Sequence, residues 1–363
     1  MEKKFIKEVN SIRAIACLCV VFLHAIQQRL FTWNNNALHT VLGLLAFGTA
    51  TFVFLSELIL SRSYPDRLPS FFIKKRVIPI LVPFIVFCFF YAFIANYDNI
   101  PHLIRAFTFN LLGNYHGPWF ILVILQFYAL HQIFVKYLSK VSAFIILTGS
   151  FFINMAYLAI FNLCAPPRET GFIAFLWEGG YWVPCLGWLF YFSLAYYCGK
   201  NYERFIQELT EHRSFVLIAP IFAMALVVYV DSFHIMPYGS KRMDMILFTV
   251  AMVLSLFLIF SQLKKQPAIL EFVSQYSFGI FLIHLFFIKV TNKALHVLGL
   301  RLGYFEIPIL FLSAVIASVI VVHAVNKLPL GKYLIGGLRS TVKTVDPYRQ
   351  EIRTGEGLEV IKQ

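Results

Sequence analysis

Long apolar runs dominate the chain, and short stretches of polar and basic residues separate them. A run of about 20 apolar residues is long enough to cross the core of a bilayer as an α-helix. Ten windows have this character, near residues 12–30, 38–60, 77–95, 119–138, 142–162, 181–199, 214–232, 243–262, 272–292 and 306–326. The sixth is rich in aromatic residues and is opened by Pro184, and the stretch 101–113 is expected to lie along the membrane interface. The pattern predicts an all-α, polytopic membrane helix bundle of about ten transmembrane helices.

The composition agrees with this pattern, because 59% of the 363 residues are hydrophobic and only 13% are charged. A soluble domain of this length has no core large enough to hide so much apolar surface. We therefore expect a multi-pass protein embedded in the lipid bilayer, with one transmembrane domain over residues 1–335 and a polar tail over 336–363. The first apolar run follows Lys3, Lys4 and Lys7 without a small-residue cleavage site, and we expect it to be retained.

The basic residues predict the orientation of the helices. With the N-terminus inside, 23 of the 31 Lys and Arg residues fall in cytoplasmic segments and eight fall outside. Both termini are thus predicted to be cytoplasmic. The net charge of +13 reflects this bias together with attraction to anionic lipid headgroups. Because the charge is spread over many short loops, nothing in the sequence supports nucleic-acid binding.

Arg13 and His24 lie eleven residues apart in the first apolar run. At about 100° per residue both side chains share one helix face, roughly 16 Å apart along the axis. Ionisable residues at such depth are costly and usually mark a functional site. Separately, each has an ordinary explanation, since Arg13 can anchor the helix at headgroups and His24 can bridge to a neighbouring helix. Together they suggest an anion-binding group near one surface and a reactive group near the membrane centre.

A second intramembrane histidine, His284, ends the run Ser-Phe-Gly-Ile-Phe-Leu-Ile-His that begins at Ser277. Its predicted depth matches that of His24, so the two imidazoles are expected to meet in one cavity and to act as general bases. The alternative is close helix packing at Ser277 and Gly279, with His284 as a polar bridge. Glu57, His39 and Gln126 are further polar residues inside apolar runs that could line a cavity, but individually they rank no higher than packing bridges.

Two loops add candidate binding residues. Lys74, Lys75 and Arg76 precede the third window, and such a cluster either only orients the helix or also binds phosphates on the cytoplasmic side. The fourth window is preceded on the outside by candidate sugar-binding residues, namely Tyr115, His116 and Trp119. The six cysteines show neither a disulfide framework nor metal-ligand spacing, and we expect no metal site.

These motifs occur in an order that resembles the bacterial acyltransferase-3 family of integral membrane O-acyltransferases. The resemblance rests on Arg-x10-His in the first run, Lys-Lys-Arg before a proline-containing third run, Gly-Pro-Trp-Phe at the fourth and the His284 motif. It spans about residues 8–335 and is greatest with the branch that includes the intercellular-adhesion C protein.

The resemblance implies transfer of an acyl group from cytoplasmic acyl-CoA, with acetyl-CoA expected and succinyl-CoA the variant, to a carbohydrate acceptor outside a bacterial cell membrane. His24 would be the base, Arg13 would hold the donor, Lys74, Lys75 and Arg76 would face its phosphates, and His284 would have a further role in the site. Many members have two arginines three apart before the third helix, and Ile73 stands at the first position here. Some relatives add a C-terminal esterase-like domain, which we do not see here, so we expect direct transfer or a separate partner.

Two other functions fit the same pattern. A polysaccharide or lipid-linked sugar exporter would need a continuous polar path and no acyl donor. A structural subunit beside the glycan synthesis machinery would need neither a polar path nor an acyl donor. Dependence on acyl-CoA separates the acyltransferase from both.

Overall fold

The computed structural model of the chain describes residues 6–33, 36–65, 68–69, 71–114, 118–138, 140–167, 170–233 and 239–338. Within these ranges the structure is helical and contains no strand. The α-helices are α1 (Lys7–Trp33), α2 (Asn36–Leu45), α3 (Phe47–Ser63), α4 (Ile78–Asn96), α5 (Ile100–Leu111), α6 (Phe120–Ile133), α7 (Ala143–Leu163), α8 (Gly171–Glu178), α9 (Leu189–Lys200), α10 (Tyr202–Glu211), α11 (Arg213–Asp231), α12 (Met245–Gln262), α13 (Ala268–Val297), α14 (Glu306–Asn326) and α15 (Gly331–Leu334). Most of the predicted polar tail, from residue 339 onward, lies outside the described residues.

The polytopic all-α bundle predicted from the sequence is confirmed. Within the described part of the chain, nine helical segments are long and apolar enough to cross a membrane. The difference from ten lies in the sixth predicted window, where two short 3-10 turns, Gly180–Trp182 and Cys185–Trp188, precede the 12-residue α9. Pro184 lies between these turns with extended backbone, which explains the interruption.

The short helix α9 nevertheless packs as part of the bundle, because it runs beside α3 and ends with it. Its last turn lies so close that a Cβ at Gly199 would clash with the carbonyl of Leu58 and the hydroxyl of Ser61. The Ser61 hydroxyl also lies 3.5 Å from the carbonyl oxygen of Ala195 on α9. Helix α9 thus lies inside the bundle, at the position of the sixth predicted window.

Helix α1 is the central element of the bundle. It is 27 residues long, contains neither Pro nor Gly, and packs against α3, α12, α13 and α14. Its N-terminal end and the C-terminal ends of α3 and α9 define what we call the N-terminal face, and the other end is the opposite face. At the opposite face a buried ion pair of 2.8 Å joins Arg29 of α1 to Glu306 of α14. This pair fixes the far end of α1 against the last crossing.

The predicted interfacial stretch 101–113 corresponds largely to α5, which folds back along α4. The side-chain amide of Asn110 donates a hydrogen bond of 3.0 Å to the carbonyl of Cys88, in the middle of α4. Asn110 is buried, whereas Ile100 and Ile104 on the same helix are exposed. The stretch thus packs on the bundle with one side and leaves its apolar side outward.

Candidate active site

The unbroken helix α1 carries both Arg13 and His24, and it places them on a line from the N-terminal face into the bundle. Eleven residues of α-helix separate them by about 16 Å. Arg13 is buried, with an exposed fraction of 6%, and its guanidinium lies 3.4 Å from the side-chain oxygen of Asn10. His24 lies deeper and is half-buried. A charged group and an imidazole are thus held at a fixed separation by one rigid element.

The two predicted histidines come together between α1 and α13. The ring centroids of His24 and His284 are 5.3 Å apart, with an angle of 39° between the ring planes. His284 is almost fully buried, with an exposed fraction of 2%. The two histidines can contact each other because they lie at the same depth on separate helices, as the sequence predicts.

Hydrogen bonds define the available nitrogen of each imidazole. The Nδ1 of His284 donates to the carbonyls of Ile280 and Phe281, at 2.9 and 3.0 Å. The Nδ1 of His24 donates to the side-chain oxygen of Gln27 at 3.0 Å. In a neutral imidazole the other nitrogen then carries the lone pair. The Nε2 of His284 is buried and has no hydrogen-bond partner among the described residues. Both rings are thus arranged to accept a proton at Nε2.

A cavity of about 680 Å³ lies between this pair and the N-terminal face. Three arginines line it, Arg13 near its inner end and Arg62 and Arg76 nearer the face. Its remaining walls are apolar or hydroxyl-bearing and come from α1, α3, α4, α6 and α13, for example Phe52, Ser56, Ile80, Tyr128 and Ser277. An elongated ligand with an anionic end and an apolar arm matches this distribution.

The arginines of the cavity are not equivalent. The guanidinium of Arg62 forms two hydrogen bonds with Glu203, at 2.7 and 3.1 Å, which partly neutralises it. Arg76 lies over the ring of Tyr64 at 5.8 Å, and its buried Nε has no hydrogen-bond partner among the described residues. Lys74 and Lys75, predicted beside Arg76, are exposed and do not line the cavity. Only Arg76 of the predicted basic cluster therefore reaches it.

Aromatic rings separate the cavity from the histidine pair. Phe52 and Phe281 line both the cavity and a second, smaller hollow that reaches His284. That hollow also includes Cys17 and has no room for a water molecule. Phe120 lies 6.3 Å from Phe52 and 6.0 Å from Phe281, measured between ring centroids. We call Phe52, Phe120 and Phe281 the aromatic constriction.

Aromatic residues also gather toward the opposite face, around Trp119. Its ring centroid lies 5.6 Å from that of Trp182 and 6.2 Å from that of Trp188. The Nζ of Lys241 lies over both indoles, 3.9 Å from the centroid of Trp182 and 4.6 Å from that of Trp119. Burial lowers the pKa of Lys241 from 10.5 to about 7. The other predicted sugar-binding residues, Tyr115 and His116, lie outside the described residues.

An acyltransferase domain typical of the acyltransferase-3 family matches residues 6–325. The chain belongs to this family. The match includes α1 with its Arg13 and His24, the basic cluster, Trp119 and the His284 helix. The protein is therefore a membrane-embedded acyltransferase.

Two groups of relatives extend this assignment. A Bacillus subtilis protein named as a membrane-bound acyltransferase, YfiQ, is 39% identical over 354 residues, which cover 91% of this chain and 94% of that protein. A Staphylococcus aureus protein named as a poly-β-1,6-N-acetyl-D-glucosamine export protein is 26% identical over 78% of this chain and 82% of its own. The Staphylococcus epidermidis protein of that name is 24% identical over 78% and 81%. No solved structure matches the chain.

The sequence analysis did not name several residues of the site, and the signals for them in the sequence differ in strength. Gln27 follows His24 by three positions, a spacing at which helical side chains meet, so this partner was predictable. Lys241 is one of the few cations expected on the outside, and that departure from the charge bias was its only signal. The aromatic constriction has no signal in a chain with 40 phenylalanines.

Glu57 and His131 form a second buried pair, away from the histidine pair. The Nδ1 of His131 lies 2.7 Å from a carboxylate oxygen of Glu57, and its Nε2 donates to the carbonyl of Tyr64 at 3.1 Å. Both side chains are fully buried. Because the Tyr64 ring contacts Arg76, this pair supports the wall of the cavity near the N-terminal face.

Proposed function

We propose that the protein transfers an acyl group from acyl-CoA, bound from a cytoplasmic N-terminal face, to a hydroxyl group of a carbohydrate on the outer face of a bacterial cell membrane. Acetyl-CoA is the expected donor and succinyl-CoA the variant to compare. The observation that supports this most strongly is the line from the arginine-lined cavity to the histidine pair. It supplies an anion site, an apolar channel and a general base in the order that the reaction needs.

The cavity suits the donor in chemistry and in shape. Arg76 and Arg62 near the face would bind the phosphates of the coenzyme, and exposed Lys74 and Lys75 would add long-range attraction to them. Arg13, deeper and buried, would bind a phosphate or a polar group of the pantetheine arm. The apolar walls would enclose the arm, whose thioester end points toward the aromatic constriction. No step requires a metal ion.

The histidine pair supplies the proton chemistry. In the proposed step the Nε2 of His24 takes the proton of the acceptor hydroxyl while the hydroxyl oxygen attacks the thioester carbonyl. A C–O bond forms, the C–S bond breaks, and the coenzyme thiolate takes the proton from His24. His284, held by two backbone carbonyls, would position the thioester end or relay that proton. Gln27, exposed toward the opposite face, would hold the His24 ring in orientation.

A carbohydrate acceptor agrees with the aromatic surface around Trp119 and with the names of the staphylococcal relatives. Sugar rings pack well on indole faces, and Trp119 and Trp182 offer such faces near the opposite face of the bundle. N-acetylglucosamine oligosaccharides are therefore the first acceptors to try. Glycan synthesis enzymes in the same membrane would be partners that deliver the acceptor.

The test is transfer by purified protein in lipid vesicles with radiolabelled acetyl-CoA and N-acetylglucosamine oligosaccharides. Wild type is compared with His24→Ala and with His296→Ala, a matched control at an exposed histidine near the end of α13. We expect labelled oligosaccharide with wild type and the control, and a loss of at least about a hundredfold with His24→Ala. Thermal unfolding of each variant shows whether the protein remains folded.

Full activity of a folded His24→Ala variant would contradict the mechanism. No turnover by wild type with acetyl-CoA or succinyl-CoA would favour export, the activity in the names of the staphylococcal relatives. In the present structure the aromatic constriction interrupts the polar path that an exporter needs.

A further inference from the structure

We propose that Lys241, seated between Trp119 and Trp182, is a specificity-determining residue of the acceptor site and favours sugars that carry an anionic group beside the reacting hydroxyl. This inference rests on the proposed acyl transfer to carbohydrate. It adds a charge preference and assigns it to one residue.

Hydrogen bonds from neighbouring residues fix the backbone at Lys241. The side-chain amide of Asn162 on α7 donates to the carbonyl of Lys241 and accepts from the backbone N–H of Met243, at 3.1 and 3.0 Å. The next residue, Arg242, is buried and forms hydrogen bonds to Asp231 and Asp244 at 2.7–3.0 Å. So many bonds around one short turn leave the Lys241 backbone little freedom, and the side chain is directed to a fixed place.

The ammonium group of Lys241 has two aromatic neighbours in the described part of the chain. Among the described residues, its Nζ contacts the faces of Trp119 and Trp182 and forms no ion pair. The nearby carboxylates of Asp231 and Asp244 are already bound to Arg242. Lys241 is half-buried, and a cation in that position is stabilised further when an anion or several hydrogen-bond acceptors join it. An oxygen-rich or anionic ligand on the indoles would supply such partners.

The location of this cation connects it to the reaction. Lys241 approaches the aromatic constriction through Trp119, because its Nζ lies over the Trp119 ring. Trp119 also touches Phe120 of the aromatic constriction, with ring centroids 5.8 Å apart. A sugar ring on the indoles would thus have one substituent at Lys241 and a hydroxyl toward His24. Neutral sugars would still bind through hydroxyl oxygens, and cationic amino sugars would be repelled.

A competition between two acceptors tests the assignment. The methyl glycosides of N-acetylglucosamine and of N-acetylmuramic acid differ by a lactyl carboxylate, and both are offered to the protein together with labelled acetyl-CoA. The ratio of kcat/KM for the anionic over the neutral glycoside is read from the two products in one vessel. Because both products depend on the same enzyme, a loss of folded protein does not change the ratio.

We expect wild type to favour the anionic glycoside. Lys241→Met should lower the ratio about tenfold, the size of one charge-assisted hydrogen bond, and Lys241→Glu about a hundredfold. Lys293→Met is the matched control, since Lys293 is an exposed lysine near the end of α13 and belongs to no part of the site. The control should keep the wild-type ratio.

Equal ratios in wild type, Lys241→Met and Lys241→Glu would overturn the role of Lys241 while leaving the proposed function in place. Transfer by wild type to neither glycoside, nor to N-acetylglucosamine oligosaccharides, would overturn the proposed function and this inference with it.

Discussion

The imidazole rings of His24 and His284, from helices near opposite ends of the chain, lie with their centres 5.3 Å apart. Each neutral ring already has a proton on Nδ1, and a second proton on both rings at once is unfavourable, since like charges at this distance repel strongly. In the proposed mechanism the pair would therefore accept one additional proton at a time. The two Nδ1 atoms donate to different acceptors: Gln27 for His24, and two backbone carbonyls for His284.

Gln27→Leu should lower kcat for acyl transfer about tenfold or more, because the His24 ring would lose the partner that fixes its tautomer and orientation. The KM for acetyl-CoA should stay near the wild-type value, since Gln27 lies away from the donor cavity. Initial rates over a range of donor concentrations separate the two constants. Gln28→Leu is the control, and an equal loss there would show that any change in this turn disturbs the site.

Arg76→Gln should raise the KM for acetyl-CoA at least about tenfold, because Arg76 lines the cavity with an unsatisfied Nε. Lys74→Gln should change it about twofold, and less at high salt, because an exposed charge acts through screened attraction. Donor titrations at two ionic strengths provide the comparison. Similar effects for both variants would mean that the phosphates bind outside the cavity.

Phe281→Ala should uncouple donor consumption from transfer. Removing this ring opens the aromatic constriction, so that water reaches the thioester, and hydrolysis of acetyl-CoA should rise several-fold while transfer to the sugar falls. Free thiol release and labelled product are followed in the same reaction. Phe286→Ala is the control, because Phe286 packs against Phe90 and lines neither the cavity nor the smaller hollow that reaches His284. An unchanged ratio of hydrolysis to transfer in Phe281→Ala would contradict the barrier role.

Lys241 should react with acylating reagents at unusually low pH. Only the neutral amine reacts, and with a pKa of about 7 half of Lys241 is neutral near that pH, whereas an ordinary lysine requires about pH 10.4. The charged groups nearest to it along the chain fold are Arg242, Asp231 and Asp244, which form ion pairs with one another. Mass spectrometry of protein labelled between pH 5 and 9 gives the midpoint. A Lys241 curve that follows that of exposed Lys293 would contradict this assignment.

The fold was largely predictable because a helix that spans a membrane requires a run of about 20 apolar residues, and such runs are visible in the sequence. Nine of the ten windows correspond to long helical segments. The remaining window is the sixth, which contains α9. It was predicted as a single span because composition alone does not show how Pro184 and the glycines around it break the helix into 3-10 turns.

The candidate site was predictable only along single helices. Arg13 and His24 share a face of α1, and this follows from helical geometry. Which member of the Lys74 to Arg76 cluster faces inward depends on the π-helical turn Ile73–Val77, which the sequence pattern does not reveal. His131 is followed by a second π-helical turn, Phe134–Leu138, and is buried against Glu57, which the sequence pattern does not reveal either.

The aromatic constriction also bears on the energy supply of the cell. A polar cavity open from one side and a reactive site open to the other would together form a conduit for protons and ions, which would dissipate the membrane potential. Three phenylalanine rings and a hollow too small for water separate the cavity from the histidine pair. In the proposed transfer, the acyl group would pass this barrier without opening a path for protons or ions.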